Sequence, residues 1–424
     1  MDNIKLFQLA ERYHKKFPKE DMLAVKRNGT MYKYSTEEYI NTSNSIAYGL
    51  LNYGIKKNDI ICIISNNRPE WSLVDMAINK IGAINAPIYP NITREEYKYI
   101  INDCGARMIF IGSIEIYNQI KGLEEEVECL EKIYCFDNIE NVSHWSVITE
   151  SGVVNPQHQS MLEIQDSILN DELFTLIYTS GTTGKPKGVM LSHNNIISQI
   201  TTLENMLPIG FNDRAISFLP LCHVFERVVE YFYMFKGTSI YYAQSIETIG
   251  DDLKEIQPTI MPTVPRLLEK VYDKIIAKGS NLTGLKKILF FWAVELGLKH
   301  EYNNKNGIFY ELQLSIANKI IFNKWREAVG GRIRYIVSGA SALQARIARV
   351  FTAAKMPILE GYGLSETSPV ISVNLAHTKY AHYGTVGTVI PGVTLKLQHE
   401  EGMKEDEGEI TIKGPNVMMG YYNK

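Results

Sequence analysis

The run Tyr178-Thr179-Ser180-Gly181-Thr182-Thr183-Gly184-Lys185-Pro186-Lys187-Gly188 concentrates more chemistry than any other part of this chain. Gly181, Gly184 and Gly188 allow backbone amides to turn toward one point and approach a phosphate closely. The hydroxyls of Thr179, Ser180, Thr182 and Thr183 add donors or a magnesium ligand, and Lys185 and Lys187 add positive charge. The spacing does not match a Walker A loop, because Pro186 stands where its second glycine would be. The next residues, Val189-Met190-Leu191, read as strand rather than helix. An anion would therefore be held by a loop between two strands, not by a helix N-terminus. The competing reading, a mobile polar loop without function, leaves the coincidence of glycines, hydroxyls and lysines unexplained.

The elements around this loop alternate. Ser35 and Glu38 form a capping box, and Tyr39, Ser43, Ile46, Ala47, Leu50 and Leu51 follow at helical spacing. Ile60–Ile64 is a continuous apolar strand, Pro69 starts a helix through Ile81, and Ala83–Ile88 is again strand. Thr93 and Glu96 form a second capping box before the strand Arg107–Ile111. Leu173–Tyr178 leads into the loop, and Ser192 caps a helix to about Leu207. Further strands are expected at Ala215–Leu219, Ser239–Tyr242, Thr259–Met261 and Ile333–Ser338. Strands buried on both faces and alternating with helices make a parallel sheet between helices. From Gly384 short alternating strands separated by Gly and Pro-Gly turns replace this pattern.

The 424 residues are 45% hydrophobic and 21% charged, with a formal net charge of −3. Such a length suggests two or three domains or subdomains at about 100–200 residues each. The missing basic surplus gives no support for a nucleic-acid partner. No apolar stretch reaches about 18 residues, and the N-terminus lacks an apolar signal core, so a cytoplasmic protein is expected. Cys62, Cys104, Cys129, Cys135 and Cys222 form no CxxC pair and read as reduced core thiols. The nine histidines include no HExxH or HxH spacing.

The phosphate-loop run resembles that of the acyl-adenylate-forming enzymes. A second match is Glu360-Gly361-Tyr362-Gly363-Leu364-Ser365-Glu366-Thr367, which follows the strand-like Met356–Leu359. A third is Ser338-Gly339-Ala340-Ser341-Ala342-Leu343. A fourth is Gly384-Thr385-Val386-Gly387 with Pro391-Gly392, then Gly408-Glu409-Ile410, Gly414-Pro415 and Gly420-Tyr421-Tyr422. The resemblance extends from about Met22 onward. It implies an α/β fold of two interlocked doubly wound subdomains plus a small C-terminal β-subdomain, the large N-terminal domain of that family. The expected divisions are 1–170, 171–383 with the phosphate loop and adenine pocket, and 384–424.

The resemblance also assigns roles. It implies ATP and AMP contacts at Thr179, Ser180, Gly181, Thr182, Thr183, Gly184, Lys185 and Lys187, at Gly339, Ala340 and Ser341, and at Glu360, Gly361, Tyr362, Gly363 and Ser365. Tyr362 would pack on adenine, and Thr179 and Glu366 would position Mg²⁺. Elementary chemistry agrees: ATP and a carboxylate are like-charged, so catalysis is mostly positioning and charge neutralisation. The other readings are a dipole-stabilised helix-start carboxylate for Glu366 and an ordinary core aromatic for Tyr362.

Phe218-Leu219-Pro220-Leu221-Cys222-His223-Val224-Phe225-Glu226-Arg227 and Val264–Lys270 resemble the long-chain fatty acyl-CoA synthetases. His223, Val224 and Phe225 would line the acyl pocket. His223 is a candidate catalytic residue beside Lys187, Thr179 and Glu366, although a carboxylate nucleophile is already ionised and needs no base. The resemblance implies fatty acid, ATP and coenzyme A as substrates, with Mg²⁺. Family members carry a Thr-Gly-Asp ribose contact, a hinge and a lysine in a closing C-terminal domain. No such context precedes Lys424, so a large N-terminal portion of a longer enzyme, impaired alone, is expected.

Two alternatives stand beside this one: activation of an aryl, short-chain or carrier-bound acid, and a non-catalytic nucleotide- or lipid-binding module. The helical segment from Arg266 to about Gly330 contains Leu289-Phe290-Phe291-Trp292-Ala293-Val294. That run reads as core, as a wall beside an apolar ligand, or as a peripheral contact with the inner membrane face.

Overall fold

A computed structural model describes residues 4–179, 184–376, 378–399, 402–404 and 407–424. Ile60–Ile64 is a strand buried at every position, as a β-branched run requires when both sheet faces are covered. It pairs in parallel with Ile84–Ile88 and with Met108–Ile111. Both capping boxes form. Ser35 and Thr93 accept the N3 amide of the helices Thr36–Asn52 and Arg94–Cys104, while Glu38 and Glu96 reach back to the cap amides. Pro69 opens the helix Pro69–Lys80, where its missing N–H costs nothing.

Among the described residues, seven strands form one sheet in the order Gly420–Tyr421, Lys187–Ser192, Leu173–Thr179, Ile84–Ile88, Ile60–Ile64, Met108–Ile111, Lys132–Cys135. Its first three strands pair antiparallel and the rest parallel. A nine-stranded sheet runs Thr388–Val389, Val370–Asn374, Ile358–Gly363, Tyr335–Ser338, Ile260–Thr263, Arg214–Ser217, Ser239–Tyr242, Leu23–Arg27, Thr30–Tyr34. It is parallel from Ile358–Gly363 to Leu23–Arg27 and antiparallel at both edges. Thr394–Gln398 and Glu409–Lys413 pair with each other as a separate ribbon.

The chain passes between the two sheets repeatedly. Leu23–Arg27 and Thr30–Tyr34 complete the nine-stranded sheet, whereas the hairpin Leu173–Ser192 joins the seven-stranded one. A division at 170/171 therefore separates no sheet. After residue 384, Thr388–Val389 and Gly420–Tyr421 likewise return to different sheets. These pairings join strands far apart in sequence, which local pattern does not report.

The helix Val224–Lys236 is buried along most of its length and contributes to the largest core cluster. Arg227 on it donates to both carboxylate oxygens of Asp75 and to the Thr175 hydroxyl. Asp75 also accepts from Tyr231 and from Asn85. One buried polar network thus joins this helix to Pro69–Lys80 and to two strands of the seven-stranded sheet. The apolar run 289–294 lies in the helix Gly284–Leu298. There Phe290, Ala293 and Val294 are buried, and Leu289, Phe291 and Trp292 are half-buried. Half of the run, Phe290, Ala293 and Val294, is therefore core. All five cysteines are free thiols.

Candidate active site

Parallel strands of an open α/β sheet leave a crevice beyond their C-terminal ends. Here Arg214–Ser217 runs on toward His223, Tyr335–Ser338 ends at Gly339, and Ile358–Gly363 ends in the Glu360–Thr367 block. At that edge lies a cavity of about 270 Å³ lined by His223, Val224, Phe225, Gly339, Ala340, Gly361, Tyr362, Gly363, Leu364, Ser365, Glu366, Pro369 and Val370. Three stretches more than a hundred residues apart in part of the chain meet on one space. Leu364, Pro369 and Val370 also line it, though their apolar side chains gave no chemical signal in the sequence.

The backbone there is closely fitted. A Cβ on Gly363 would stand 1.6 Å from the Pro369 carbonyl oxygen, so only glycine fits. Ala340 holds a left-handed φ of +70°, a conformation costing an ordinary residue about 1–2 kcal/mol. Glu360 does not line the cavity. Its carboxyl is buried, and burial pushes it up to about 7. Ser341 is exposed and also lies outside the lining.

His223 is the N-cap of the helix Val224–Lys236. Its Nδ1 accepts the Phe225 amide at 3.2 Å, which places the proton of a neutral ring on Nε2. Burial lowers its pKa further from 6.5. A neutral imidazole is thus held at the cavity wall, suited to orienting a substrate rather than carrying positive charge. Beyond Phe225 lies an apolar crevice of about 30 Å³. It shares Phe225, Pro369 and Val370 with the cavity and is otherwise lined by Leu203, Leu207, Ile209, Val228, Val229, Phe232, Tyr233 and Val337.

The strands expected on either side of the glycine-rich loop are present: Leu173–Thr179 and Lys187–Ser192 pair antiparallel, with Thr179 opposite Lys187. Ser180, Gly181, Thr182 and Thr183 lie outside the described residues. Gly184 has φ +99°, and Lys185 Nζ lies 5.3 Å from the Tyr99 ring centroid. Lys187 Nζ lies 5.4 Å from the Tyr421 ring centroid, and the Tyr421 hydroxyl donates to Glu366 at 2.9 Å. Tyr421 therefore stands between the hairpin lysine and the carboxylate of the other motif. The Met418 amide donates to the Glu366 carbonyl at 2.9 Å, fixing the same residue from its backbone. Gly420-Tyr421-Tyr422 had been matched as a motif, but nothing in its sequence assigned Tyr421 a contact.

Glu366 sits in a single short turn, Ser365–Thr367, with a specific side-chain partner, so a helix-dipole carboxylate is a poor description of it. Among the described residues no three His, Cys, Asp or Glu side chains are grouped to hold a metal ion. A carboxylate such as Glu366 and a hydroxyl such as Thr179 are oxygen donors of the type a hard cation takes beside phosphate and water.

Comparison with known proteins gives the family. The model of the AMP-binding enzyme family matches residues 11–422. The chain is 30% identical to the peroxisomal long chain acyl-CoA synthetase 6 of Arabidopsis thaliana, over 94% of this chain and 58% of the relative. It is 31% identical to long-chain-fatty-acid–CoA ligase 1 of Homo sapiens, over 91% of this chain and 57% of the relative. It spans under two thirds of the length of both. The crystal structure of a long-chain-fatty-acid-CoA ligase (FadD1) from Archaeoglobus fulgidus superposes with a TM-score of 0.76 at 17% identity, covering 99% of this chain and 76% of that one. The α/β fold is thus that of acyl-adenylate-forming enzymes, and the chain belongs to the AMP-binding enzyme family.

Proposed function

We propose that this chain supplies the ATP- and acyl-binding part of an AMP-forming fatty acid–CoA ligase. A fatty-acid carboxylate oxygen attacks the α-phosphorus of ATP, the bond to the bridging oxygen breaks, and pyrophosphate leaves. The sulfur of coenzyme A then attacks the acyl carbon of the adenylate, the thiol proton passes to solvent, and AMP departs. The observation that carries this reading is the convergence of the Gly339 and Tyr362 segments with His223 and Phe225 on one cavity, with a small, mainly apolar crevice on the other side of Phe225. A nucleotide needs the first pair and an alkyl chain needs the second.

In this reading Tyr362 stacks on adenine, and the backbone of Gly339 and Ala340 borders it beside Gly361, Gly363 and Ser365, with Ser341 just outside the lining. Glu360 supports the same strand end. Lys185, Lys187 and the loop Thr179–Gly184 hold phosphate oxygens. Thr179 and Glu366 would hold Mg²⁺, whose contribution when bound is to offset triphosphate charge. His223 orients the acid through Nε2–H, and Val224 and Phe225 begin the acyl wall. The relatives named as long-chain acyl-CoA ligases support the choice of acid.

No helix of the described residues is long and apolar enough to cross a membrane, which is compatible with a cytoplasmic setting. The test is ATP–pyrophosphate exchange with a panel of acids, measured with a closing C-terminal domain joined to this chain. Exchange stimulated by long-chain fatty acids is expected. Exchange absent with fatty acids but strong with an aryl acid would replace the proposed substrate, and calorimetry showing fatty acid bound but no ATP or AMP would favour a non-catalytic lipid-binding module.

A further inference from the structure

The helix Arg94–Cys104 lies beside the glycine-rich hairpin and touches both of its shoulders. Tyr99 and Asp103 stand one helical turn apart and so share a face of that helix. The Tyr99 hydroxyl donates to the Pro186 carbonyl at 3.1 Å, on the outgoing shoulder. Asp103 accepts from the Tyr178 hydroxyl at 2.7 Å, on the incoming strand. The Asp103 carbonyl also accepts from the Asn423 side chain at 2.9 Å, and the Tyr422 amide donates to the Gly188 carbonyl at 2.8 Å. One face of one helix therefore grips both ends of the loop, and the segment Tyr422–Asn423 closes the same cluster.

The helix is itself firmly held. A capping box and a left-handed Gly105 close its two ends, and Tyr97, Ile100, Ile101 and Cys104 are buried. The Tyr99 ring packs against the same core cluster as Met190 and Tyr422. Lys185 Nζ lies 5.3 Å from the centroid of that ring, within range of a cation–π attraction. Among the described residues neither Lys185 nor Lys187 forms an ion pair; each stands over a tyrosine ring instead, Tyr99 or Tyr421. A carboxylate partner would cancel the ammonium charge. A ring restrains the side chain and leaves its charge for a phosphate, and such restraint lowers the entropy lost on binding.

We propose that Tyr99 is a positioning residue for polyphosphate binding: its hydroxyl sets the Pro186 backbone and its ring restrains Lys185, while Asp103 fixes the opposite shoulder through Tyr178. The inference rests on the ATP reading above and adds residues that line no part of the cavity. ATP and AMP share adenine, ribose and one phosphate. Only ATP carries the two further phosphates that the loop lysines would serve. The helix Arg94–Cys104 thus controls the preference for ATP over AMP without touching either.

The test is calorimetric titration of the 424-residue protein with Mg·ATP and, separately, with AMP. Tyr99→Phe keeps the ring and loses the bond to Pro186, and its ATP affinity is expected to fall roughly two- to tenfold. Tyr99→Leu loses both contacts and is expected to lower ATP affinity roughly tenfold or more, with AMP affinity unchanged in either variant. Tyr97→Phe is the control. It loses the bond to the Tyr89 carbonyl, 3.0 Å, on the same helix but away from the loop, so it should lower the melting temperature and leave ATP affinity unchanged. Equal ATP binding by the wild type and Tyr99→Leu would overturn the inference alone. So would a parallel loss of ATP and AMP affinity, or an equal ATP loss in Tyr97→Phe, since each marks a general weakening of the structure. A wild-type protein that binds neither nucleotide would overturn the ligase reading and this inference with it.

Discussion

Replacing Arg227 with Met tests how the site is positioned. The Arg227 and Asp75 side chains are 3% and 5% exposed, so the pair is buried in the core between the sheets. Arg227 reaches Asp75 through Nη2 and Nε and reaches Thr175 through Nη1. Met fills much of the same volume but leaves Asp75 with only its Tyr231 and Asn85 donors. Removing one member of a buried pair costs about 3–5 kcal/mol, because a buried charge is left uncompensated. The loss is to be read from urea unfolding as a fall in midpoint at unchanged slope. Asp75→Asn with Arg227→Met removes that charge and is expected to recover at least half of the loss. Because Arg227 lies four residues after His223 on the same buried helix, AMP binding by the single variant is expected to weaken too. A loss under about 1 kcal/mol, the value of an exposed pair, would refute the reasoning. A double variant no more stable than the single one would refute it as well.

Three further perturbations follow from the geometry. Gly363→Ala places a Cβ on the Pro369 carbonyl oxygen and is expected to cost about 1–3 kcal/mol while reducing AMP affinity, both measurable by calorimetry. Tyr421→Phe removes the donor to Glu366; a bond to a charged group is worth about 1.5–3 kcal/mol. The magnesium concentration for half-maximal pyrophosphate exchange should therefore rise roughly tenfold or more while the KM for the acid holds. Burial pushes Glu226 up to about 8 and Glu230 up to about 7. The folded state then binds more protons than the unfolded chain between their ordinary range and these values, so stability falls as pH rises through that window. Glu226→Gln with Glu230→Gln should flatten that fall in urea unfolding at about pH 5 and pH 8.

Local signals carried much of the fold. The all-apolar run Ile60–Ile64 announced a doubly covered strand, and Ser35 with Glu38 announced a helix start, because each depends on residues within a few positions. The hairpin around the phosphate loop was legible from Val189-Met190-Leu191 for the same reason. Sheet membership was not: Leu23–Arg27 joins Ser239–Tyr242 across more than two hundred residues, and alternation within five residues is the same in either sheet. The run 289–294 shows the complementary limit. Its apolarity was plain, but which side faces the core depends on the tertiary packing of Phe290 and Val294.

At the site, motif residues were legible because glycine spacing and charge are chemical constraints written in sequence. The apolar walls Pro369 and Val370 were not, since such side chains occur throughout any core. Tyr421 was legible as part of a motif but not as a bridge, because its ring lies between Lys187 and Glu366 only once the last strand pairs with Lys187–Ser192. The Arg227–Asp75 pair is separated by 152 positions and has no sequence signature, because both helices carry other charges, Glu70 and Lys80 on one and Glu226, Glu230 and Lys236 on the other.

If one cavity holds the nucleotide and acyl halves of an adenylate together, a stable palmitoyl-adenylate analogue binds this 424-residue protein at least about a hundredfold tighter than AMP alone in calorimetry. ATP and palmitate both compete with it, and Gly339→Val, whose side chain would grow toward Phe225 and the Gly361 carbonyl, loses most of the binding. An analogue that binds no better than AMP, or equally well to the Gly339→Val protein, would contradict a shared cavity.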